Sequence, residues 1–251
     1  MSQKVKVKIP KYNIPVKKVD HVLLSLDSLL PHEEIVTERL NDIVKMIKEL
    51  NAVDMPIIAA PIEGLNKYLI IDGHHRWAAL KELGASKIPS IVINYFDPNV
   101  KVYTWYPAIS GDFQALIKEV EGRNIHVLKC DLRIGNVTNH HLTDVAFMIF
   151  GVNECYVVKG GVEEQRAVIR ALDKLNVESK VVLSWYGLIE DAEVDLRSGE
   201  VDYVFVRRIY TKKEIMEYVS KGGVYPPKTT RHVLPFIPDK NYVKLETLYD
   251  F

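Results

Sequence analysis

The sequence predicts a soluble mixed α/β (α+β) protein made of two domains. Short apolar runs rich in β-branched residues alternate with segments of helical period along residues 19–95, which is typical of a compact α/β unit. A second series of strand and helix candidates follows from residue 102. The length of 251 residues allows one large or two small cores. We therefore expect domains at residues 1–100 and 101–251.

The first domain is expected to begin with an extended basic arm, because prolines interrupt residues 1–18. A helix is predicted to open at residues 31–34, where acidic side chains suit the first turn, and its apolar stripe runs to Leu50. A second helix should run from His74 to Gly84. Strands are predicted at residues 19–26, 56–60, 67–71 and 88–95.

The second domain shows the same alternation. Helices are predicted at residues 113–121, 162–175 and 212–220, and a polar, acidic segment is expected after residue 185. The tail from residue 225 is rich in proline and basic residues. Strands are predicted near residues 102–107, 125–130, 146–150, 154–158, 181–185 and 203–206.

Composition excludes several classes of protein. Lys+Arg and Asp+Glu both total 33, which argues against bulk binding to nucleic acid or an anionic membrane. Cys130 and Cys155 lack CxxC spacing, so neither a disulfide framework nor a zinc knuckle is predicted. The sequence contains neither the apolar core of a signal peptide nor an apolar run of transmembrane length. We expect a reduced, cytoplasmic protein, and a monomer because no coiled-coil pattern or strongly apolar edge is evident.

The central feature is the turn between the strand at residues 67–71 and the following helix. Asp72-Gly73 is a turn signal, and His74, His75 and Arg76 open the helix. A helix N-terminus offers unpaired N–H groups and a positive dipole end, which suit a phosphate. The pattern predicts a phosphate-binding turn with Asp72 available for a metal or a proton.

Three other segments of the sequence each allow a structural and a functional interpretation. Glu33 and Glu34 are either surface carboxylates or a general base or metal ligand. The aromatic segment at residues 103–107 is either core or a pocket wall. The segment at residues 228–232 is either a solvated basic loop or an anion clamp. The adjacent pair His140-His141 receives no role, because neighbouring side chains point apart.

The sequence resembles the ParB/sulfiredoxin superfamily, which holds nucleotide phosphates at a strand–turn–helix with the pattern G-x-x-R, here Gly73 to Arg76. Within that group it is most similar to the archaeal free serine kinases. The resemblance covers nearly the whole chain. It is carried by PHE at 31–33, DGHHRW at 72–77, YFD at 95–97, VKVYTWYPA at 100–108, YGL at 186–188, EVDYVFVR at 200–207 and PKTTRHVLPFIPDK at 227–240.

The resemblance implies a ParB/sulfiredoxin-like nucleotide-binding domain and a second α/β domain that completes the serine site in a cleft. It implies transfer of a phosphoryl group from ADP or ATP to free L-serine, with Mg²⁺ or a similar cation, to give O-phospho-L-serine for cysteine synthesis. Glu33 would be the general base, and Asp72 would lie near the metal and the reacting phosphate. Gly73, His74, His75 and Arg76 would hold the donor phosphates, Trp105 would wall the serine pocket, and Lys228, Thr230, Arg231 and His232 would hold the serine carboxylate and the product phosphate.

Two other functions can be weighed against the sequence. A ParB-like DNA-binding protein with a nucleotide site is the alternative, but the sequence shows no clear helix-turn-helix and its charge is balanced. A sulfinic-acid reductase needs a cysteine in the phosphate turn, where this chain has His74. The sequence gives no physical rule for choosing between ADP and ATP.

Overall fold

The computed structural model describes residues 5–250. The helices are α1 (Thr37–Leu50), α2 (His74–Glu82), α3 (Phe113–Glu121), α4 (Val162–Val177), α5 (Ile189–Ser198) and α6 (Lys212–Ser220). The strands are β1 (Lys6–Lys8), β2 (Val16–Lys17), β3 (Val22–Ser25), β4 (Leu29–Pro31), β5 (Ala52–Val53), β6 (Ile57–Ile62), β7 (Lys67–Asp72), β8 (Lys87–Val92), β9 (Lys101–Tyr103), β10 (Tyr106–Gly111), β11 (Val127–Lys129), β12 (Val145–Phe150), β13 (Cys155–Lys159), β14 (Val181–Tyr186), β15 (Tyr203–Val206), β16 (Arg231–Val233), β17 (Ile237–Pro238) and β18 (Val243–Lys244).

The chain forms two compact units. The turn unit contains residues 12–102, 210–227 and 232–250, and the clamp unit contains residues 5–11, 103–209 and 228–231. The mixed α/β fold class predicted from the sequence is confirmed. The unit boundary near residue 102 lies close to the domain boundary expected at residue 100. Most of the C-terminal tail, however, which we expected in the second domain, packs with the turn unit.

The turn unit is built on a five-stranded sheet with the order β3-β8-β6-β7-β4. The β4–β7 and β6–β8 pairs are parallel, and the other two pairs are antiparallel. Its core contains the fully buried side chains of Ile47 from α1, Ile57 and Ile70 from the sheet, and Leu80 from α2. The sheet and α2 therefore fix both ends of the predicted phosphate turn.

The clamp unit is built on a seven-stranded sheet with the order β1-β14-β10-β15-β12-β13-β11. One core on this sheet includes residues of α3 and α4, and a second core includes residues of α5. Strand β10 pairs with both β14 and β15. This pairing brings Pro107, the last residue of the aromatic segment, beside Trp185.

The predicted helix start at residues 31–34 is wrong. Pro31 ends β4, and α1 begins only at Thr37. The intervening backbone is extended because it bonds to a distant segment: Tyr225 N–H donates to the carbonyl of His32 at 2.8 Å, and Glu34 N–H donates to the carbonyl of Tyr225 at 2.9 Å. The acidic residues there do not satisfy a helix dipole.

Two further expectations for the clamp unit are corrected. The polar, acidic segment after residue 185 forms helix α5, whose buried face includes Ala192 and Leu196. Cys130 and Cys155 form a disulfide, with Cα atoms 5.0 Å apart. The antiparallel β11–β13 pairing brings the two cysteines together, and Cys130 N–H donates to the carbonyl of Cys155 at 2.8 Å. Sequence spacing does not reveal such a pairing.

No helix within residues 5–250 combines the length and apolar character needed to cross a lipid bilayer.

Candidate active site

The predicted phosphate turn, at residues 72–76, depends on a glycine. Gly73 caps the N-terminus of α2 with φ of +96°, a left-handed backbone conformation that residues with a side chain rarely adopt. A Cβ atom there would lie 2.5 Å from Cγ2 of the fully buried Ile57. The sheet therefore approaches the turn so closely that only glycine fits, and the first N–H groups of α2 lack partners inside the helix.

Arg76 holds the turn against the neighbouring backbone. Its Nη1 donates to the carbonyls of Met55 and Pro56 at 2.8 and 2.9 Å, and its Nη2 donates to Oδ2 of Asp72 at 2.9 Å. The Asp72 side chain is 63% exposed, whereas that of Arg76 is 13% exposed. Arg76 is thus a structural anchor of the turn as well as a candidate phosphate ligand, and Asp72 presents its carboxylate to solvent.

The two histidines that open α2 are neutral. Val36 N–H donates to Nε2 of His75 at 3.1 Å, so the ring proton of His75 is on Nδ1. Burial, with help from the nearby Arg39, lowers the pKa of His75 to about 4. Burial also lowers the pKa of His74 well below its usual range, and the neighbouring His32 adds to this effect. These rings therefore offer neutral hydrogen-bond donors rather than positive charges.

Glu33 is positioned beside the turn by the sheet. Strands β4 and β7 are parallel, with Pro31 opposite Ile70. The residues that follow the two strands, Glu33 on one and Gly73 on the other, consequently emerge at the same edge. The side chain of Glu33 is 17% exposed.

His232 belongs to the same unit and is also neutral. Its Nε2 lies 2.8 Å from the hydroxyl of Tyr95. Burial lowers the pKa of His232 well below its usual range, and burial raises the pKa of Tyr95, so both groups are uncharged and share one hydrogen bond. The ring of His232 lies edge-on to His32, with centroids 5.1 Å apart.

The other predicted ligands lie in the clamp unit, where Thr230 is buried and the two cationic side chains lie over aromatic rings. Nζ of Lys228 lies 4.8 Å from the ring centroid of Trp105 and 5.6 Å from that of Trp185. The guanidinium of Arg231 lies 4.8 Å from the ring centroid of Tyr103 and also faces Trp105 at 5.6 Å. Cations over aromatic faces are stabilised by the ring quadrupole. The aromatic segment therefore orients the cationic side chains of residues 228–231.

A buried arginine holds the backbone of this segment. Arg207 is 1% exposed; its Nε donates to Oγ1 of Thr104 at 3.0 Å, and its Nη2 donates to the carbonyl of Lys228. Oγ1 of Thr104 in turn donates to the carbonyl of Thr229 at 2.8 Å. Lys228 itself has a left-handed φ of +59°. The network fixes a strained segment whose side chains present positive charge.

The sequence analysis gave no functional role to three residues described above: His32, Tyr95 and Arg207. His32 precedes Glu33 in the PHE motif, Tyr95 begins YFD, and Arg207 directly follows the apolar strand β15. A charged residue directly after an apolar strand was the available signal for Arg207. His141, which received no role, accepts from the backbone N–H of Thr138 through Nδ1 at 3.1 Å, a local structural contact.

The described residues contain no group of three or more His, Cys, Asp or Glu side chains arranged to hold a metal ion. Mg²⁺ in nucleotide sites commonly uses only one or two carboxylates, with water and phosphate oxygens completing its shell. The exposed carboxylate of Asp72, beside the N-terminus of α2, fits this second arrangement.

The five-stranded sheet and the glycine turn at the N-terminus of α2 are the features expected of a protein that binds nucleotide phosphates. Family models agree with this description. The ParB N-terminal domain matches residues 5–104, and the C-terminal domain of L-serine kinase SerK matches residues 104–207.

Full-length relatives identify the family. The chain is 48% identical over 246 residues to an ATP-dependent L-serine kinase of Staphylothermus marinus, covering 98% of both chains. It is 45% identical over 242 residues to an ADP-dependent L-serine kinase of Thermococcus kodakarensis, covering 96% of this chain and 98% of the relative. A solved free serine kinase in complex with AMP is 44% identical, with a TM-score of 0.92, and the match covers 97% of this chain and all of the other. The chain belongs to the L-serine kinase family.

Proposed function

We propose that this protein is a kinase that transfers a phosphoryl group from ADP or ATP to the hydroxyl of free L-serine, giving O-phospho-L-serine. The observation that carries the proposal is the parallel β4–β7 pairing, which brings the carboxylate of Glu33 to the same sheet edge as the phosphate turn at Gly73. A base and a phosphate site side by side are what phosphoryl transfer to an alcohol requires.

Glu33 acts as the general base. The serine oxygen attacks the terminal phosphorus, the bond from that phosphorus to the bridging oxygen of the donor breaks, and the hydroxyl proton passes to the Glu33 carboxylate. A serine hydroxyl is a poor nucleophile, so a positioned carboxylate assists the transfer. The donor leaves as AMP when ADP is used and as ADP when ATP is used.

The turn holds the donor phosphates. N–H groups at the start of α2, with its positive dipole end, face the phosphate oxygens, and Gly73 permits their close approach. His74, His75 and Arg76 add side-chain donors. Asp72 would hold Mg²⁺ together with the phosphates, and the cation would neutralise charge on the transferred group.

Residues 228–232 and Trp105 bind the acceptor. Free serine is small, so its charged ends must provide most of its affinity. Lys228 and Arg231 supply positive charge for the serine carboxylate and the product phosphate, and Thr230 supplies a hydroxyl. Trp105 orients both cations through its ring. His232, because it is neutral, contributes a hydrogen bond rather than charge.

The proposal is tested by mass spectrometry of serine incubated with purified protein, Mg²⁺ and nucleotide. O-phosphoserine is the expected product, and the proposal fails if neither ADP nor ATP yields a phosphorylated amino acid. Glu33→Gln should lose most of kcat while it retains AMP affinity, and Glu34→Gln is the matched control. Near-normal kcat in Glu33→Gln would transfer the base role to Glu34 or Asp72.

Initial rates with ADP and ATP under identical conditions will identify the donor. Relatives of each kind are nearly equally similar to this chain. A rate ratio of about ten or more in either direction identifies the physiological donor class. Omitting Mg²⁺ and adding a chelator should abolish turnover with either nucleotide.

The setting of the enzyme is also part of the proposal: a cytoplasmic monomer that supplies O-phosphoserine for cysteine synthesis and does not bind nucleic acid. Light scattering of the purified protein tests the monomer. Filter retention of nonspecific duplex DNA at low salt tests the DNA-binding alternative, because tight and salt-sensitive retention would support it.

A further inference from the structure

His32 is a buried residue of the turn unit that has no part in the roles proposed so far. It directly follows β4, is 1% exposed, and lies between the phosphate turn and Glu33. Its Nδ1 is 2.7 Å from the carbonyl oxygen of Ile70 and 2.9 Å from Nε2 of His74. Its Nε2 is 3.9 Å from Oε1 of Glu33.

These contacts determine the ring proton of His32. A carbonyl oxygen can only accept a hydrogen bond, so Nδ1 of His32 must carry the proton that it donates to Ile70. Burial lowers the pKa of His32, so the ring holds one proton and Nε2 is deprotonated. The tautomer is thus fixed by the backbone of β7.

The same reasoning extends to His74. Its Nε2 lies 2.9 Å from the protonated Nδ1 of His32 and 3.3 Å from the backbone N–H of His32. Both neighbours are donors, so Nε2 of His74 must accept through its lone pair. An imidazole with a lone pair on Nε2 carries its ring proton on Nδ1. His75 shows the same pattern, because its Nε2 accepts from the backbone N–H of Val36.

We propose that His32 is a positioning residue of the phosphoryl-transfer site, which fixes His74 as the neutral tautomer protonated on Nδ1 and so directs a hydrogen-bond donor, rather than a lone pair, to the donor phosphates. This inference rests on the proposed kinase function. A lone pair facing a phosphate oxygen repels it, whereas an N–H attracts it. The second partner of a functional histidine commonly determines which ring nitrogen is available for function.

Two substitutions separate the contributions of the two ring nitrogens. His32→Asn places an amide N–H where Nδ1 was and should restore the bonds to Ile70 and His74. His32→Gln places its amide near Nε2 and leaves the Nδ1 position empty. We expect His32→Asn to retain kcat within about threefold. His32→Gln should lose about 10- to 100-fold, the range seen for second partners of metal-bound histidines, with little change in KM for serine.

The control is His126→Asn, an exposed histidine of the clamp unit, which should match the wild type. A purely structural role would lower the melting temperature of both His32 variants and reduce kcat in proportion. Equal kcat losses in His32→Asn and His32→Gln would overturn the proposal, because restoring the Nδ1 donor would then have no effect. A larger loss in His32→Asn would also overturn it and would assign the role to Nε2, which faces Glu33.

A tautomer measurement makes the test independent of catalysis. Long-range ¹H–¹⁵N correlation spectra of histidine-labelled protein, with the His74 signal assigned by its loss in His74→Gln, should show a protonated Nδ1 in the wild type and in His32→Asn. A protonated Nε2 on wild-type His74 overturns the inference even if the protein is an active kinase. Absence of serine phosphorylation in the wild type would instead refute the proposed function and leave this tautomer result standing.

Discussion

Gly73→Ala should lower the free energy of unfolding, because the turn between β7 and α2 has no room for a methyl group at this position. Placing an alanine at φ of +96° costs about 1–2 kcal/mol. The new methyl would lie 2.5 Å from Cγ2 and 3.0 Å from Cβ of Ile57, and overpacking of this kind costs about 1–3 kcal/mol. The sum is about 2–5 kcal/mol, a large share of the stability of a typical domain.

The matched control is Gly84→Ala at the other end of α2. Gly84 has φ of +75°, and a Cβ atom added there would have no heavy atom of another residue, apart from its chain neighbours, within 4 Å. It therefore bears the conformational cost of about 1–2 kcal/mol without the collision. The difference between the two variants in free energy of unfolding, measured by urea denaturation, isolates the contact with Ile57.

The functional effect should separate the two variants more clearly than stability does. The methyl in Gly73→Ala must displace either Ile57 or the turn, and a displacement of about 1 Å at a reacting group can cost about 100-fold in rate. AMP affinity measured by calorimetry should fall in Gly73→Ala and remain normal in Gly84→Ala. In a double-mutant cycle, Ile57→Ala should recover part of the stability lost by Gly73→Ala, because the methyl then enters the vacated space. Equal unfolding free energies and equal AMP affinities for the two glycine variants would refute this account.

Three other outcomes follow from the structure. Lys228→Ala should raise KM for serine and leave KM for the nucleotide unchanged in steady-state kinetics; an unchanged KM for serine would remove Lys228 from the clamp. Reducing the Cys130–Cys155 disulfide, whose partners are 25 residues apart, should lower the free energy of unfolding by about 3 kcal/mol in urea titrations with and without reductant, while kcat stays constant. His32 and His232 have lowered pKa values, so below about pH 6.5 the unfolded chain binds protons that the folded chain does not; stability should fall as pH decreases from about 7 to about 5, which melting temperatures across that range will check.

Local sequence patterns predicted the elements that are stabilised locally. The β-branched run of β7, the Asp-Gly turn and the period of α2 lie within one short stretch, and each agrees with the next. The apolar stripe of α1 was equally readable, although its start was not. Such agreement between neighbouring signals explains why the candidate phosphate site could be predicted from the sequence alone.

Features that depend on contacts between segments far apart in the sequence were not predictable. Residues 31–34 carry helix-start signals, but hydrogen bonds to Tyr225, far along the chain, hold them extended. The disulfide required the β11–β13 register, and the role of Arg207 required knowing that Thr104 and Lys228 lie beside the end of β15. A single sequence contains no register information of this kind, so these contacts were visible only in the fold.

The structure revises which of the proposed ligands are expected to carry positive charge. The resemblance assigned the donor phosphates to residues 73–76, but burial keeps His74 neutral, and Arg76 is paired with Asp72 and two backbone carbonyls. We therefore expect neutralisation of the donor phosphates to come from the N-terminus of α2 and from the cation that Asp72 would hold. In the proposal, Lys228 and Arg231 carry the charges for the acceptor. Because these contributions do not depend on protonated histidine, kcat should not decline through loss of imidazolium between about pH 6 and about pH 8. A decline across that range that is abolished by His74→Asn would show that His74 is charged in the working enzyme and would contradict this division of roles.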